Sequence, residues 1–116
     1  MNITRMYSGE DGESHFEDMD ISLGKPDRPE RWSKPVKATG IIFRETSGEY
    51  DLDFHNAPRR QFVINLEGSV EVTLGDGSSR ILGPGAVLLA EDTTGRGHMS
   101  RAVNNQPRKS IFVTLD

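Results

Sequence analysis

Two short runs of alternating polarity, Tyr50–His55 and Gln61–Leu66, most restrict what this chain can fold into. Tyr50, Leu52 and Phe54 alternate with Asp51, Asp53 and His55, and Phe62, Ile64 and Leu66 alternate with Gln61, Val63 and Asn65. Successive strand side chains project to opposite faces, so a period of two predicts two strands, each with one apolar and one more polar face. Ala57-Pro58-Arg59-Arg60 connects them, and Glu67-Gly68-Ser69 turns the chain afterwards. On an open sheet such a polar face meets water; in a closed or sandwiched barrel it lines a cavity.

The same punctuation continues downstream. Val70, Val72 and Leu74 alternate with Ser69, Glu71 and Thr73, and Gly75-Asp76-Gly77 supplies the positive φ that a tight hairpin requires. Ser79–Leu82 is the expected return strand, Gly83-Pro84-Gly85 the next turn, and Ala86–Ala90 an apolar strand covered on both faces. Glu91–Gly97 reads as a polar loop, His98–Val103 and Ser110–Leu115 as strands, and Asn104–Pro107 as the turn between them. Upstream, Met1–Tyr7 predicts a short strand, Ser8–Ser14 an acidic turn, and Met19–Leu23 another alternating run. Val36–Glu45, with its dense Gly40-Ile41-Ile42-Phe43, predicts a buried strand. Lys25–Pro35 holds three prolines, which fix φ and disfavour helix, so it reads as an irregular connection with Trp32 anchoring it against the body of the fold. No stretch has capped helical periodicity, and roughly nine to eleven short strands at this spacing predict an all-β sandwich or barrel.

A length of 116 residues suits a single domain. The net charge of -4, with both signs interspersed, speaks against a nucleic-acid partner. Without cysteine, neither a disulfide framework nor a thiolate metal site can form. No apolar run approaches the roughly 20 residues of a membrane span, and no signal-type segment opens the chain. The expectation is a cytoplasmic protein without a membrane partner.

The chemistry-bearing side chains are few. Asp53 and His55 share a face of the first run, and Gln61, Val63 and Asn65 a face of the second. Only His15, His55 and His98 can supply imidazole. Arg59 and Arg60 lie in the loop between the runs, where a guanidinium fork suits a carboxylate or phosphate. Glu91 and Asp92 could serve as an acid–base element or simply cap a turn.

The span from about Val36 to Thr114 resembles the cupin superfamily, small double-stranded β-helix barrels of the jelly-roll type. His55 fits the first histidine of that family's first motif, Gln61 stands where its glutamate belongs, and Gly68 closes the motif. Gly83-Pro84-Gly85 is similar to the turn between motifs, and His98 to the histidine of the second motif. Ala57 replaces the second histidine of the first motif, and the Pro-x-Gly that precedes the second-motif histidine is absent. The resemblance implies a barrel core over 36–116, with 1–35 as an N-terminal strand and loop extension. It also implies a degenerate site for one divalent ion (Fe, Ni, Mn or Zn) at His55, Gln61 and His98, or no metal at all. Asp53, His55, Arg59, Gln61, Val63, Asn65 and His98 are the expected ligand-binding residues around a small polar or acidic ligand. A homodimer is expected because Phe54, Phe62 and Ile64 on the opposite face need cover.

Three function classes follow, with enzymatic activity left open: a small-ligand-binding protein, a metal-dependent dioxygenase or isomerase, and a metal-free acid–base enzyme like the sugar-epimerising cupins. The third requires an imidazole beside a carboxylate, with Asp53 and Asp92 as the candidates.

Overall fold

The computed structural model describes residues 1–25 and 29–116; part of the proline-rich connection, residues 26–28, lies outside them. Ten strands form: β1 (Asn2–Ser8), β2 (Ser14–Asp20), β3 (Gly40–Thr46), β4 (Asp51–His55), β5 (Gln61–Glu67), β6 (Val70–Thr73), β7 (Ser79–Leu82), β8 (Val87–Glu91), β9 (His98–Ala102) and β10 (Arg108–Thr114). They make a six-stranded sheet in the order β2-β1-β8-β5-β10-β3 and a four-stranded sheet in the order β4-β9-β6-β7. No ladder joins the two sheets among the described residues, so the architecture is a two-layer all-β sandwich rather than the closed barrel expected. Among these residues no helix is long and apolar enough to cross a membrane.

The alternating runs become β4 and β5, but they fall in different sheets and face each other across the interior. The loop at 56–60 carries the chain from one layer to the other. Phe54 therefore does not share a surface with Phe62 and Ile64: it lies under the Arg96 guanidinium, 4.1 Å from its ring centre, on the smaller sheet. Between the layers, Met6, Leu88 and Ala90 of the larger sheet pack with Val70, Val72 and Leu82 of the smaller. Burying each large apolar side chain contributes about 1.5–3 kcal/mol, which makes this cluster the main cohesive contact between layers.

Residues 1–20 are not an extension. β1 pairs with β2 and lies parallel to β8, and Met6 is the most deeply buried apolar side chain of the interior. The apolar run at 40–43 also departs from expectation: β3 pairs only with β10, at the sheet edge, and Phe43 is 76% exposed. Its alternate residues Ile41 and Phe43 lie on the outer sheet face, which nothing among the described residues covers at that edge. Trp32, at 74% exposed, does not anchor its loop against the sandwich. β8 does have both neighbours, β1 and β5, and its Leu88, Leu89 and Ala90 are buried as an unalternating apolar strand requires.

Candidate functional site

Between the layers lies a cavity of about 380 Å³, within the range of roughly 300–1,000 Å³ usual for small-molecule sites. Leu52, Val63, Val72, Leu88 and Phe112 give it apolar walls. Its polar groups divide into two sets at opposite ends of the strands.

His55 and His98 mark the first end. They are register partners on β4 and β9, with ring centres 4.4 Å apart. His98 is buried, and its Nδ1–H donates to Asp92 Oδ2 at 2.6 Å. Asp92 is fully buried and takes a second hydrogen bond on the same oxygen from Ser14 Oγ, at 2.7 Å. A carboxylate oriented in this way fixes the imidazole tautomer, directs the Nε2 lone pair away from itself, and stabilises the imidazolium that forms when a proton arrives. His55 is set by a different device: its Nδ1–H donates to the Asp53 carbonyl at 2.7 Å, which again leaves Nε2 as the acceptor. Both rings line the cavity.

The loop at 91–97 is positioned from several sides. Asn56 Nδ2 donates to the Thr94 and Gly95 carbonyls, the Arg96 amide to the Gly12 carbonyl, and the Ala57 amide to the Asp92 carbonyl. Gly97 is buried with φ of 80°, and a Cβ there would collide with the His55 carbonyl. Only glycine combines that backbone with that approach. Beside the loop, Glu91 accepts from Arg5 Nε at 2.6 Å and Arg60 Nε at 2.7 Å. Burial pushes the Glu91 carboxyl up, but these two guanidinium groups outweigh it and hold the net value below the ordinary range.

Asp53, expected beside His55 in the site, does not line the cavity. Leu52 pairs with Ser100 and His55 with His98, so Asp53 and Phe54 together oppose Met99 alone. This β-bulge inserts one residue and resets the alternation, bringing Leu52 and His55 to the same face while Asp53 caps the Phe54 amide outside. Gln61, Val63 and Asn65 do line the cavity, from the opposite sheet. Arg59 remains exposed and reaches the site through Gln61 Oε1, to which its Nη1 donates at 3.0 Å. His15 lies on β2 and binds Asp11 at 3.0 Å, away from the cavity.

The donor set bears on the metal expectation. Two imidazole Nε2 atoms are available, but the Gln61 amide oxygen is engaged by a guanidinium whose charge opposes a cation. No three His, Cys, Asp or Glu side chains gather anywhere among the described residues. A resident divalent ion usually has three or four protein donors, and this set does not fit one.

At the second end, Arg44 on β3 and Arg108 on β10 line the cavity with Tyr50. Their guanidinium carbons lie 5.0 and 5.5 Å from the Tyr50 ring centre, and Arg44 also stacks at 4.9 Å on Phe112. The Tyr50 hydroxyl bonds Ser100 Oγ at 2.8 Å. Sequence reading placed neither arginine: Arg44 was hidden behind the apolar run before it, and Arg108 lies just ahead of the expected start of the last strand.

No protein-family model and no curated protein matches this chain. Among solved structures it is similar to protein NMB1881 from Neisseria meningitidis, with a TM-score of 0.51 and 17% identity over 70% of this chain and 79% of that one. At that identity the likeness concerns the fold alone.

Proposed function

We propose that this chain is a cupin-type protein that binds a small polar molecule between its sheets and moves a proton on it. The observation that carries the reading is the Asp92–His98 pair at the cavity wall, with His55 beside it. His98 Nε2 would accept a proton from the ligand and later return it, Asp92 would stabilise the imidazolium in between, and His55 Nε2 would accept a hydrogen bond from the same molecule. Among the three classes open from sequence, this favours the metal-free acid–base enzyme, because the buried carboxylate has no evident use in a module that only binds.

The test is solvent exchange. A panel of small hydroxy acids, keto acids and sugars incubated with the protein in deuterated water should include a compound that gains deuterium at a carbon-bound position. Asp92→Asn and His98→Gln should abolish that gain. Binding with no exchange across the panel would favour the non-catalytic binding protein instead. Stoichiometric Fe, Ni, Mn or Zn lost on His55→Ala would favour the metal-dependent alternative.

A homodimer belongs to the same proposal. Ile41 and Phe43 on β3 adjoin Val113 and Ile111 on β10, followed by Phe62 and Ile64 on β5, all on the outer face of the larger sheet. A second copy laid on this strip would cover apolar surface that water otherwise meets.

A further inference from the structure

We propose that Arg44, Arg108 and Ser110 form a receptor for the carboxylate or phosphate group of the ligand, at the end of the cavity opposite the two histidines. The inference deepens the reading above and rests on it in treating the cavity as a ligand site.

Arg108 is only 5% exposed, and neither it nor Arg44 has an ion-pair partner among the described residues. Its Nε–H has no acceptor. Ser110, two residues along the same strand and 2% exposed, has an Oγ that is likewise without a partner, and it is the register partner of Arg44. A buried unpaired guanidinium is costly, and a second cation beside it raises the cost. Arg44 indeed adds to burial in pushing the Arg108 guanidinium down, to about 10. Elsewhere in this fold buried or half-buried charges are answered: Asp92 by hydrogen bonds from His98 and Ser14, and Glu91 by Arg5 and Arg60. Two cations lining one cavity, with an orphaned hydroxyl beside them on the neighbouring register position, form a donor set that lacks only an anion.

The aromatic rings decide how it would be presented. Stacking on Tyr50 and Phe112 occupies guanidinium faces and leaves their N–H edges for bonding, the geometry that matches paired oxygens. Tyr50 lies level with Ala102, whose amide donates to its carbonyl, four residues along β9 from His98. At about 3.3 Å per residue that is roughly 13 Å of strand, shortened by side chains reaching inward. The ligand class is therefore a small organic acid or phosphate ester, anionic at one end and proton-labile at the other.

Calorimetric titration with acetate and with inorganic phosphate tests this without knowledge of the natural ligand. The wild type should bind at least one of them, and the tighter of the two identifies the anionic group. Arg108→Met should weaken that binding by about tenfold or more, and Arg108→Lys, which keeps the charge but loses the fork, by less. Arg108→Met should also melt at a higher temperature than the wild type when no anion is present, which shows that the loss is not misfolding. Undiminished binding by Arg108→Met, or no binding of either anion by the wild type, would overturn the inference. Asp92→Asn should bind the anion normally. In the wild type, no anion binding with solvent exchange present removes only this inference, whereas no exchange with anion binding present removes only the acid–base reading.

Discussion

His55 and His98 face each other across a β-bulge that turns Asp53 out of the cavity and His55 into it. The two imidazoles, with ring centres 4.4 Å apart, are held by unlike partners, a backbone carbonyl for His55 and a buried carboxylate for His98. The pair is thus chemically asymmetric.

Asp92→Asn should cost about 1–3 kcal/mol of folding stability, because a neutral amide oxygen accepts more weakly from Ser14 and His98 and its NH2 would be buried without a partner where Oδ1 now lies. Urea denaturation measures it. Ser14→Ala removes one donor and should cost less, so equal losses would show that Ser14 matters for more than this bond.

Gly97→Ala should be more damaging than an exposed substitution. It places a Cβ at φ of 80° and against the His55 carbonyl, for a loss of about 1–3 kcal/mol. The His55 imidazole resonances should shift with it. Gly77→Ala, at φ of 86° with open space around it, supplies the comparison: strain without collision.

Glu91 sets an acid limit. Its folded pKa lies below the unfolded value of 4.5, so its contribution is fully present above that value and is lost as pH falls through the folded value. Glu91→Gln should flatten the acid side of a stability–pH curve without changing its slope near neutrality. An unchanged acid limb would contradict the Arg5–Glu91–Arg60 bridge.

The charge on Arg108, unlike that on Glu91, opposes folding. Its folded value is depressed to about 10, so above that value the unfolded chain, with its ordinary guanidinium, binds more protons and stability rises with pH across that window. Below it, Arg108→Met should stabilise the free protein by about 1–4 kcal/mol, an advantage that shrinks as pH rises past about 10. Thermal melts at neutral and alkaline pH check both parts.

Phe43→Glu with Ile111→Glu should convert the proposed homodimer to a monomer in light scattering. A wild type already monomeric at micromolar concentration would remove that part of the proposal.

Most strands were legible because alternation and turn chemistry are local properties. Ser69–Leu74, Gly75-Asp76-Gly77 and Ala86–Ala90 needed nothing beyond their own residues. The site was legible only where alternation ran unbroken: Gln61, Val63 and Asn65 lie together, but one inserted residue was enough to misplace Asp53. The partner of His98 could be named only as one of two carboxylates, because the approach of Asp92 depends on a loop braced by Gly12 and Asn56. Burial of β3 was misjudged because hydrophobicity reports what a strand could cover, not whether a neighbour is there to cover it.

The Ser14–Asp92 bond joins residues 78 positions apart, and β1 reaches β8 across a similar distance. During synthesis the N-terminal hairpin therefore leaves the ribosome long before the strand it must lie beside. Until β8 follows, Met6 has no sandwich to enter and the future carboxylate has no hydroxyl waiting in place. Long-range pairings of this kind form slowly. The proposed site is consequently a late product of folding, completed only when the beginning of the chain closes on its final third.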